Sequence, residues 1–202
     1  MFSRTKRLLL RPGWAEDAPA LSRVWNDEAI VRNLPDLPAN PSVEATAQFL
    51  LREREALSPY FLLFARTGGA PRLIGGCGIG KSGGKGCGKT ADQADDDRPE
   101  LSFWLARPFW GLGFATEAAA AVTRMARASG IRDLIARPTT DNIAATRVLA
   151  KLGFQPTGRT EQRHSRARGG MVACALFQDS GRAPMRVDSS RELYMDRAPI
   201  AA

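Results

Sequence analysis

A glycine-rich turn between a predicted strand and a predicted helix is the stretch best suited to chemistry. Residues 107–120 read RPFWGLGFATEAAA, and the strand-like run PELSFWL at 99–105 comes just before them. A tight Gly-x-Gly turn that opens a helix leaves several backbone N–H groups unpaired, with the positive end of the helix dipole behind them. The sequence therefore predicts an anion site here, most naturally a pyrophosphate site.

A second glycine-rich stretch offers a competing phosphate motif. Residues Gly83 to Thr90, GGKGCGKT, satisfy the P-loop expression, which would place Lys89 on nucleotide phosphate and Thr90 on magnesium. A P-loop opens a helix, whereas residues 91–98 carry four aspartates and lead straight into the next strand. We favour a chance match in a hairpin loop, and keep a P-loop nucleotide binder as a less favoured alternative.

Composition limits the class of protein to which such a site can belong. The 202 residues are 44% hydrophobic and 25% charged, which is ordinary for a globular chain that buries one full core. The basic residues behind the net charge of +8 are scattered, so we expect no nucleic-acid partner. No segment approaches the length of a membrane span or a signal-peptide core, so we expect a soluble, cytoplasmic protein with no membrane partner.

Cysteine and histidine, the residues most often found as metal ligands or nucleophiles, are few in the sequence. The three cysteines, Cys77, Cys87 and Cys174, are an odd number at wide spacings, which fits neither a disulfide framework nor a zinc pattern. We expect reduced thiols and no metal. His164, the only histidine, lies in an arginine-rich turn and is more typical of a solvated side chain than of a catalyst.

The elements around the glycine-rich turn alternate between helix and strand. Periodicity and capping signals predict strands at 5–11, 61–66, 72–79, 100–105, 131–136, 155–163 and 171–177, and helices at 17–34, 45–57, 116–129 and after Asp141-Asn142. This order indicates an α/β fold with one central sheet. We expect one domain over 1–178 with a polar loop insertion at 81–98, followed by a tail at 179–202 that docks, swaps or stays mobile.

Four segments, in order, carry a resemblance to a known family. They are TKRLLLR at 5–11 followed by Asp17-Ala18, PELSFWL at 99–105, FWGLGFATEA at 109–118 and NIAATRVLAKLGF at 142–154. The chain resembles the GNAT superfamily of N-acetyltransferases, in the branch of the ribosomal-protein N-terminal (alanine/serine) acetyltransferases. The resemblance implies a single mixed, mostly antiparallel sheet that is splayed at an acetyl-CoA site and flanked by about four helices.

The resemblance also implies which residues bind the co-substrate. The pyrophosphate would rest on the N–H groups of Gly111 to Thr116, with Trp110 standing where the family has a basic or amide residue. Pantetheine would pair with the splayed strand on one side and contact Asn142 on the other. The implied cofactor-binding residues are Phe103, Trp104, Leu105, Trp110, Gly111, Leu112, Gly113, Phe114, Ala115, Thr116 and Asn142.

The implied catalytic set is smaller. Glu100, at the start of the splayed strand, is the candidate general base by analogy, acting through a water, and its alternative role is a strand-end salt bridge. Ala145 stands where many relatives carry a serine, and neither Tyr60 nor Tyr194 occupies the position of the usual acid. Glu117 fits charge complementarity at a helix N-terminus better than chemistry.

These features lead to one favoured function and two alternatives. The favoured function is an acetyl-CoA-dependent N-acetyltransferase that acts on a primary amine, either a protein N-terminus or a small molecule, by direct attack in a ternary complex. A non-catalytic acyl-CoA-binding protein is the first alternative, which the missing tyrosine and serine acids would permit, and the P-loop protein is the second. We expect a monomer or homodimer whose acceptor site is shaped by the first two helices, the 36–41 loop and the 159–170 turn.

Overall fold

The computed structural model describes residues 2–55, 57–66, 69–81 and 98–181. The GGKGCGKT motif, Cys87 and Tyr194 lie outside these ranges, as do most of the predicted 81–98 insertion and the tail beyond 181. The P-loop alternative and the division into a 1–178 domain and a 179–202 tail therefore stay predictions. Strand pairing across the insertion is clear, because Lys81 and Pro99 are register partners on two neighbouring antiparallel strands.

One eight-stranded sheet carries the described part of the chain. Its strands are β1 (Ser3–Arg4), β2 (Leu8–Arg11), β3 (Tyr60–Ala65), β4 (Arg72–Lys81), β5 (Pro99–Leu105), β6 (Ile135–Ala136), β7 (Phe154–Ser165) and β8 (Gly170–Asp179). The spatial order is β1-β2-β3-β4-β5-β6-β8-β7. Only the β5–β6 pair is parallel, so the predicted mixed, mostly antiparallel sheet is confirmed.

Five α-helices lie among the described residues, close to the expected four. They are α1 (Ala18–Trp25), α2 (Glu28–Val31), α3 (Val43–Leu51), α4 (Phe114–Ala128) and α5 (Ile143–Lys151). The extra helix arises because the predicted 17–34 helix is interrupted at Asp27, whose carboxylate accepts a hydrogen bond from the Ala29 N–H and caps a new helix. Ser42 caps α3 as predicted, but that helix ends at Leu51 rather than at 57.

The sheet separates two hydrophobic clusters. On one face Phe114 and Ala118 of α4 pack against Leu101 and Leu105 of β5. On the other face Trp104, from the same strand, packs with residues of α1 and α3. This alternation is the period of two expected of a strand covered on both sides. Glu100 lies four residues before Trp104 on the same strand, so its side chain points to the same face of the sheet, which α1 to α3 cover.

The last strand runs slightly further than the sequence suggests. β8 ends at Asp179, which is buried and accepts a hydrogen bond from Arg127 Nε at 3.0 Å. A buried carboxylate needs such a partner, because desolvation of an unpaired charge is costly. This ion pair joins the end of the sheet to the last turn of α4.

Candidate active site

The turn before α4 presents a row of unpaired backbone donors. Gly111 and Gly113 have left-handed φ angles of 73° and 81°, which glycine adopts without strain. The first amide of this region that finds a backbone acceptor is that of Glu117, which donates to the Gly113 carbonyl at 3.0 Å. Within the described residues, the N–H groups of 111–116 make no hydrogen bond. Such a concave row at a helix N-terminus suits an anion.

The strand leading into this turn is free on one edge. β5 pairs with β4 over its whole length, from Lys81↔Pro99 to Gly75↔Leu105, but it pairs with β6 only at Glu100↔Ile135. After β6 the chain continues alongside β8, where Thr139 and Cys174 form an isolated antiparallel β-bridge. The two parallel strands therefore diverge, and residues 101–105 of β5 have no strand partner on the β6 side.

Only alternate residues of this free edge point their backbone groups into the gap. The Ala106 N–H donates to the Ile74 carbonyl, and a Cβ placed on Gly75 would clash with the Trp104 carbonyl oxygen. The backbone of Trp104 therefore faces β4. Because backbone groups alternate in direction along a strand, Phe103 and Leu105 face the gap. Of the three residues expected to pair with pantetheine, these two have the required orientation.

The side chain of Trp110 contacts the end of β5. Its indole Nε1 donates a hydrogen bond to the Leu105 carbonyl oxygen at 2.7 Å, while the residue remains 45% exposed. One lone pair of that oxygen is thus occupied from the loop side. Trp110 fixes the angle between β5 and the glycine-rich turn.

Asn142 lies across the gap from β5, at the start of α5. Its Oδ1 accepts a hydrogen bond from the Ala145 N–H at 3.0 Å, so it is the N-cap of that helix. Within the described residues its Nδ2 group has no acceptor. The cap holds this amide at a fixed position, from which it can donate to a ligand in the gap.

Glu100 sits where β5 and β6 meet, inside a network of charged side chains. Its Oε2 accepts from Arg137 Nη1 at 3.1 Å and its Oε1 from Arg163 Nη1 at 3.0 Å. Arg137 also donates to Glu161 at 2.7 Å, and Arg163 lies 3.8 Å from Asp36. Arg137 and Arg163 are buried, so removing Glu100 would leave two buried charges with one partner fewer. The salt-bridge role anticipated for Glu100 is therefore present in the structure.

A family profile described as the acetyltransferase (GNAT) domain matches residues 7–155. The chain belongs to the GNAT family of N-acetyltransferases. It is 24% identical over 177 residues to the uncharacterised N-acetyltransferase p20 of Bacillus licheniformis, covering 86% of this chain and 92% of that protein. Members of the GNAT family take their acetyl group from acetyl-CoA and act on amine acceptors.

Solved structures show the same fold. The GNAT-family acetyltransferase from Bacillus anthracis superposes with a TM-score of 0.68 at 19% identity, over 88% of this chain and 97% of that one. The ribosomal L7/L12 alpha-N-protein acetyltransferase RimL superposes with a TM-score of 0.66 at 18% identity, over 88% and 94% of the two chains. At these identities the likeness is one of fold. The expected GNAT architecture is confirmed.

Arg7 is a residue of this GNAT site that the sequence did not single out. Its Nε donates to Glu117 Oε2 at 2.7 Å, and its Nη1 donates to the Leu112 carbonyl oxygen at 2.9 Å. Glu117 also accepts from the Thr5 hydroxyl and from the Arg7 N–H. Burial alone would raise the pKa of Glu117, but these hydrogen bonds and the Arg7 charge hold it below its ordinary value. Glu117 therefore connects the first turn of α4 to the turn between β1 and β2, in addition to placing a negative charge at the helix N-terminus.

The remaining titratable candidates lie away from the gap. His164 is exposed and, by strand alternation, points to the face of β7 opposite Arg163. The Tyr60 hydroxyl accepts a hydrogen bond from Trp104 Nε1 at 2.7 Å, and burial raises the pKa of Tyr60 to about 12. Burial also raises the pKa of the Cys77 thiol. Tyr60 and Cys77 are therefore poorly suited to act as an acid or a nucleophile at neutral pH.

The walls expected to form the acceptor site are joined by hydrogen bonds. Arg168, at the tip of the β7–β8 hairpin, donates to both oxygens of Asp141 and to the Arg32 carbonyl. Arg166 donates its N–H to the Pro35 carbonyl at 3.0 Å. The hairpin tip therefore closes over the segment after α2. The charges of Arg163 and Arg168 are paired with Glu100 and Asp141 within the protein.

The described residues contain neither a metal-binding cluster nor a helix suited to span a membrane. They include no cluster of three or more histidine, cysteine, aspartate or glutamate residues that could hold a metal ion. None of the helices in these ranges combines the length and the apolar character that crossing a bilayer requires.

Proposed function

We propose that this protein is an acetyl-CoA-dependent N-acetyltransferase that moves the acetyl group to a primary amine by direct attack in a ternary complex. The observation that carries the proposal is the arrangement of two features at one end of β5. The row of unpaired amides at 111–116 continues into the free strand edge at 101–105, with Asn142 across the gap. These donors and acceptors match the pyrophosphate and the amide-bearing arm of one molecule.

Different residues would bind different parts of acetyl-CoA. The amides from Gly111 to Thr116 would donate to the pyrophosphate, and the α4 dipole would add to that attraction. Phe103 and Leu105 would offer backbone groups to the pantetheine amides, in the manner of an added strand. Asn142 would donate from the opposite side. Bound in this way, acetyl-CoA would supply an activated thioester near the point where β5 and β6 meet.

Glu100 is the proposed proton acceptor at that point. An amine is cationic at neutral pH and must lose a proton before it can attack a carbonyl carbon. Arg137 and Arg163 fix the orientation of the carboxylate through their hydrogen bonds to its two oxygens. A carboxylate oxygen can accept a second hydrogen bond, from a water or an amine. The same arginines compete for the carboxylate, so proton transfer through a water is the arrangement that disturbs the network least.

Direct attack is favoured over a covalent enzyme intermediate. The two cysteines among the described residues, Cys77 and Cys174, are both buried, and burial raises the pKa of the Cys77 thiol. A thiol in that state is a weak nucleophile. Positioning the amine beside the thioester supplies catalysis without any such intermediate.

The acceptor would enter on the face that α1 to α3 cover, since Glu100 points to that side of the sheet. The hairpin tip around Arg168 and the 36–41 loop line this face. The likeness in fold to an alpha-N-protein acetyltransferase makes peptides with a free N-terminus one arm of the test, and small primary amines the other.

The experiment is an acceptor screen with a binding control. The purified protein is incubated with acetyl-CoA and a panel of N-terminal peptides, polyamines and amino sugars, and each product is weighed by mass spectrometry. A mass gain of one acetyl group on a primary amine is the expected result. Tight acetyl-CoA binding without CoA release from any amine would instead support the non-catalytic acyl-CoA-binding alternative. Loss of ATP binding in a Lys89→Ala protein would support the P-loop alternative.

A further inference from the structure

The first strand pair is joined to the anion loop by one arginine. Arg7 lies in the turn between β1 and β2, and its guanidinium contacts three consecutive parts of the site. It bonds to the Leu112 carbonyl in the loop, lies 4.3 Å from the ring centroid of Phe114, and bonds to Glu117 in the first turn of α4. The Arg7 and Glu117 side chains are only 23% and 16% exposed, so the ion pair between them is largely shielded from water.

The bond to Leu112 sets the direction of a neighbouring amide. The Leu112 carbonyl and the Gly113 N–H belong to one planar peptide unit, and all described peptide bonds are trans. In a trans unit the C=O and the N–H point in opposite directions. Because Arg7 holds the oxygen on its own side, the Gly113 N–H points to the opposite side, away from the Arg7 guanidinium. Gly113 itself cannot hold this orientation, since glycine is the most permissive residue for backbone rotation.

Arg7 does not act on the loop through its positive charge. Glu117 neutralises the guanidinium through the bond at 2.7 Å, and that carboxylate is in turn held by the Thr5 hydroxyl and the Arg7 amide. The effect of the pair on an anion is therefore geometric. It fixes the loop in the conformation in which its amides converge.

We propose that Arg7 is a positioning residue for acetyl-CoA, which acts by holding the Leu112 carbonyl so that the Gly113 amide is aimed at the pyrophosphate. This rests on the proposed function, because it requires the pyrophosphate to lie on residues 111–116. Arg7 touches no reacting atom. Its contribution is to the affinity of the pyrophosphate end of the ligand, with the acetyl end unaffected.

Arg66 offers a matched control. Its guanidinium donates to the Thr5 carbonyl at 3.0 Å, so it braces the same turn as Arg7, and it makes no bond to the anion loop within the described residues. Arg7→Met and Arg66→Met each remove one guanidinium and keep an unbranched stem. Differences between them report the contact with the loop rather than the stability of the β1–β2 turn.

The test compares CoA with pantetheine, which lacks the pyrophosphate. Calorimetry on Arg7→Met should show the Kd for CoA raised about tenfold, because the ligand must then order the loop that Arg7 no longer holds, with the Kd for pantetheine within about twofold of wild type. In turnover, the KM for acetyl-CoA should rise while kcat stays within about twofold, because only binding energy at a remote site is lost. Arg66→Met should leave both dissociation constants unchanged.

Several outcomes would overturn the inference. A wild-type Kd for CoA in folded Arg7→Met would do so, as would an equal loss of CoA and pantetheine affinity. If Arg7→Met does not fold, Arg7→Lys asks the same question, because a single ammonium replaces the planar fork that reaches Glu117 and Leu112 together. CoA affinity lost in Gly113→Ala but kept in both Arg7 variants would refute the role of Arg7 alone. CoA affinity kept in all three would refute the pyrophosphate placement itself.

Discussion

Replacing Gly113 by alanine tests the anion loop, because a glycine of the same conformation stands at the other end of the same helix. Gly113 precedes α4 with φ of 81°, and Gly130 follows it with φ of 87°. A Cβ on Gly130 would meet nothing within 4 Å, and a Cβ on Gly113 would lie 3.5 Å from Arg7 Nη2, an ordinary contact. Both substitutions therefore add left-handed strain without a clash.

The expected magnitude follows from that strain. A residue with a Cβ costs roughly 1–2 kcal/mol in the left-handed region, so Gly130→Ala should lose about that much stability. In Gly113→Ala the loop relaxes by rotating its peptides, so the free protein loses less stability than this, and acetyl-CoA must restore the strained conformation when it binds. If relaxation releases all of the strain, the Kd rises roughly 5- to 30-fold. Gly130 lies about 22 Å away along a helix of 15 residues, so Gly130→Ala should not affect binding.

The assay is isothermal titration of acetyl-CoA into each protein, with thermal melting alongside. We expect a smaller loss of Tm in Gly113→Ala than in Gly130→Ala, and a weaker Kd in Gly113→Ala only. The reasoning would be refuted by a wild-type Kd in Gly113→Ala at a lowered Tm, since the loop would then be strained without consequence for the ligand. Equal losses of affinity in the two variants would show that binding follows overall stability.

Three further predictions concern single side chains. Glu100→Gln should lower kcat by roughly 10²–10⁴-fold, with the Kd for acetyl-CoA unchanged; an unaltered kcat would leave Glu100 a structural ion pair. Tyr60→Phe should cost about 1–3 kcal/mol in urea unfolding, because the Trp104 indole N–H loses its acceptor; unchanged stability would contradict this. The hydrogen bond from Arg168 lowers the pKa of Asp141 to about 2, so this pair stabilises the fold above about pH 4 and the gain is lost as the pH falls towards 2. The wild-type protein should therefore have a larger unfolding free energy at pH 5 than at pH 2.5, and Asp141→Asn should make this difference smaller. Because Asp141 is half-exposed, the reduction should be less than about 1 kcal/mol. A larger difference in the variant would contradict a stabilising role for the Arg168–Asp141 pair.

Some parts of the site could be predicted because short-range chemistry decides them. Gly113 is needed where the backbone adopts a left-handed φ before a helix, and Asn142 and Ser42 cap the helices that follow them. Each of these features depends on residues within four positions of one another, so the local sequence contains the whole cause. The strand, turn and helix around FWGLGFATEA were recognised for this reason.

Other parts were missed or misjudged because they depend on strand register. Arg7 and Glu117 are separated by 110 positions, and Glu100 and Arg163 by 63. Nothing in the local sequence around Glu100 says that two arginines will occupy both of its oxygens. The same holds for Trp104, whose backbone faces β4 and not the gap, because that direction follows from which neighbouring strand it pairs with.

By itself the sequence determined the order of the elements and the conformation of the glycine-rich turn, since both arise from backbone preferences and local caps. The tertiary structure decided where β5 and β6 separate, because β6 continues along β8 and leaves the edge at 101–105 without a partner. It also decided that the loop is anchored from the first strand pair through Arg7. Both are contacts between distant segments, which form only when the sheet is assembled.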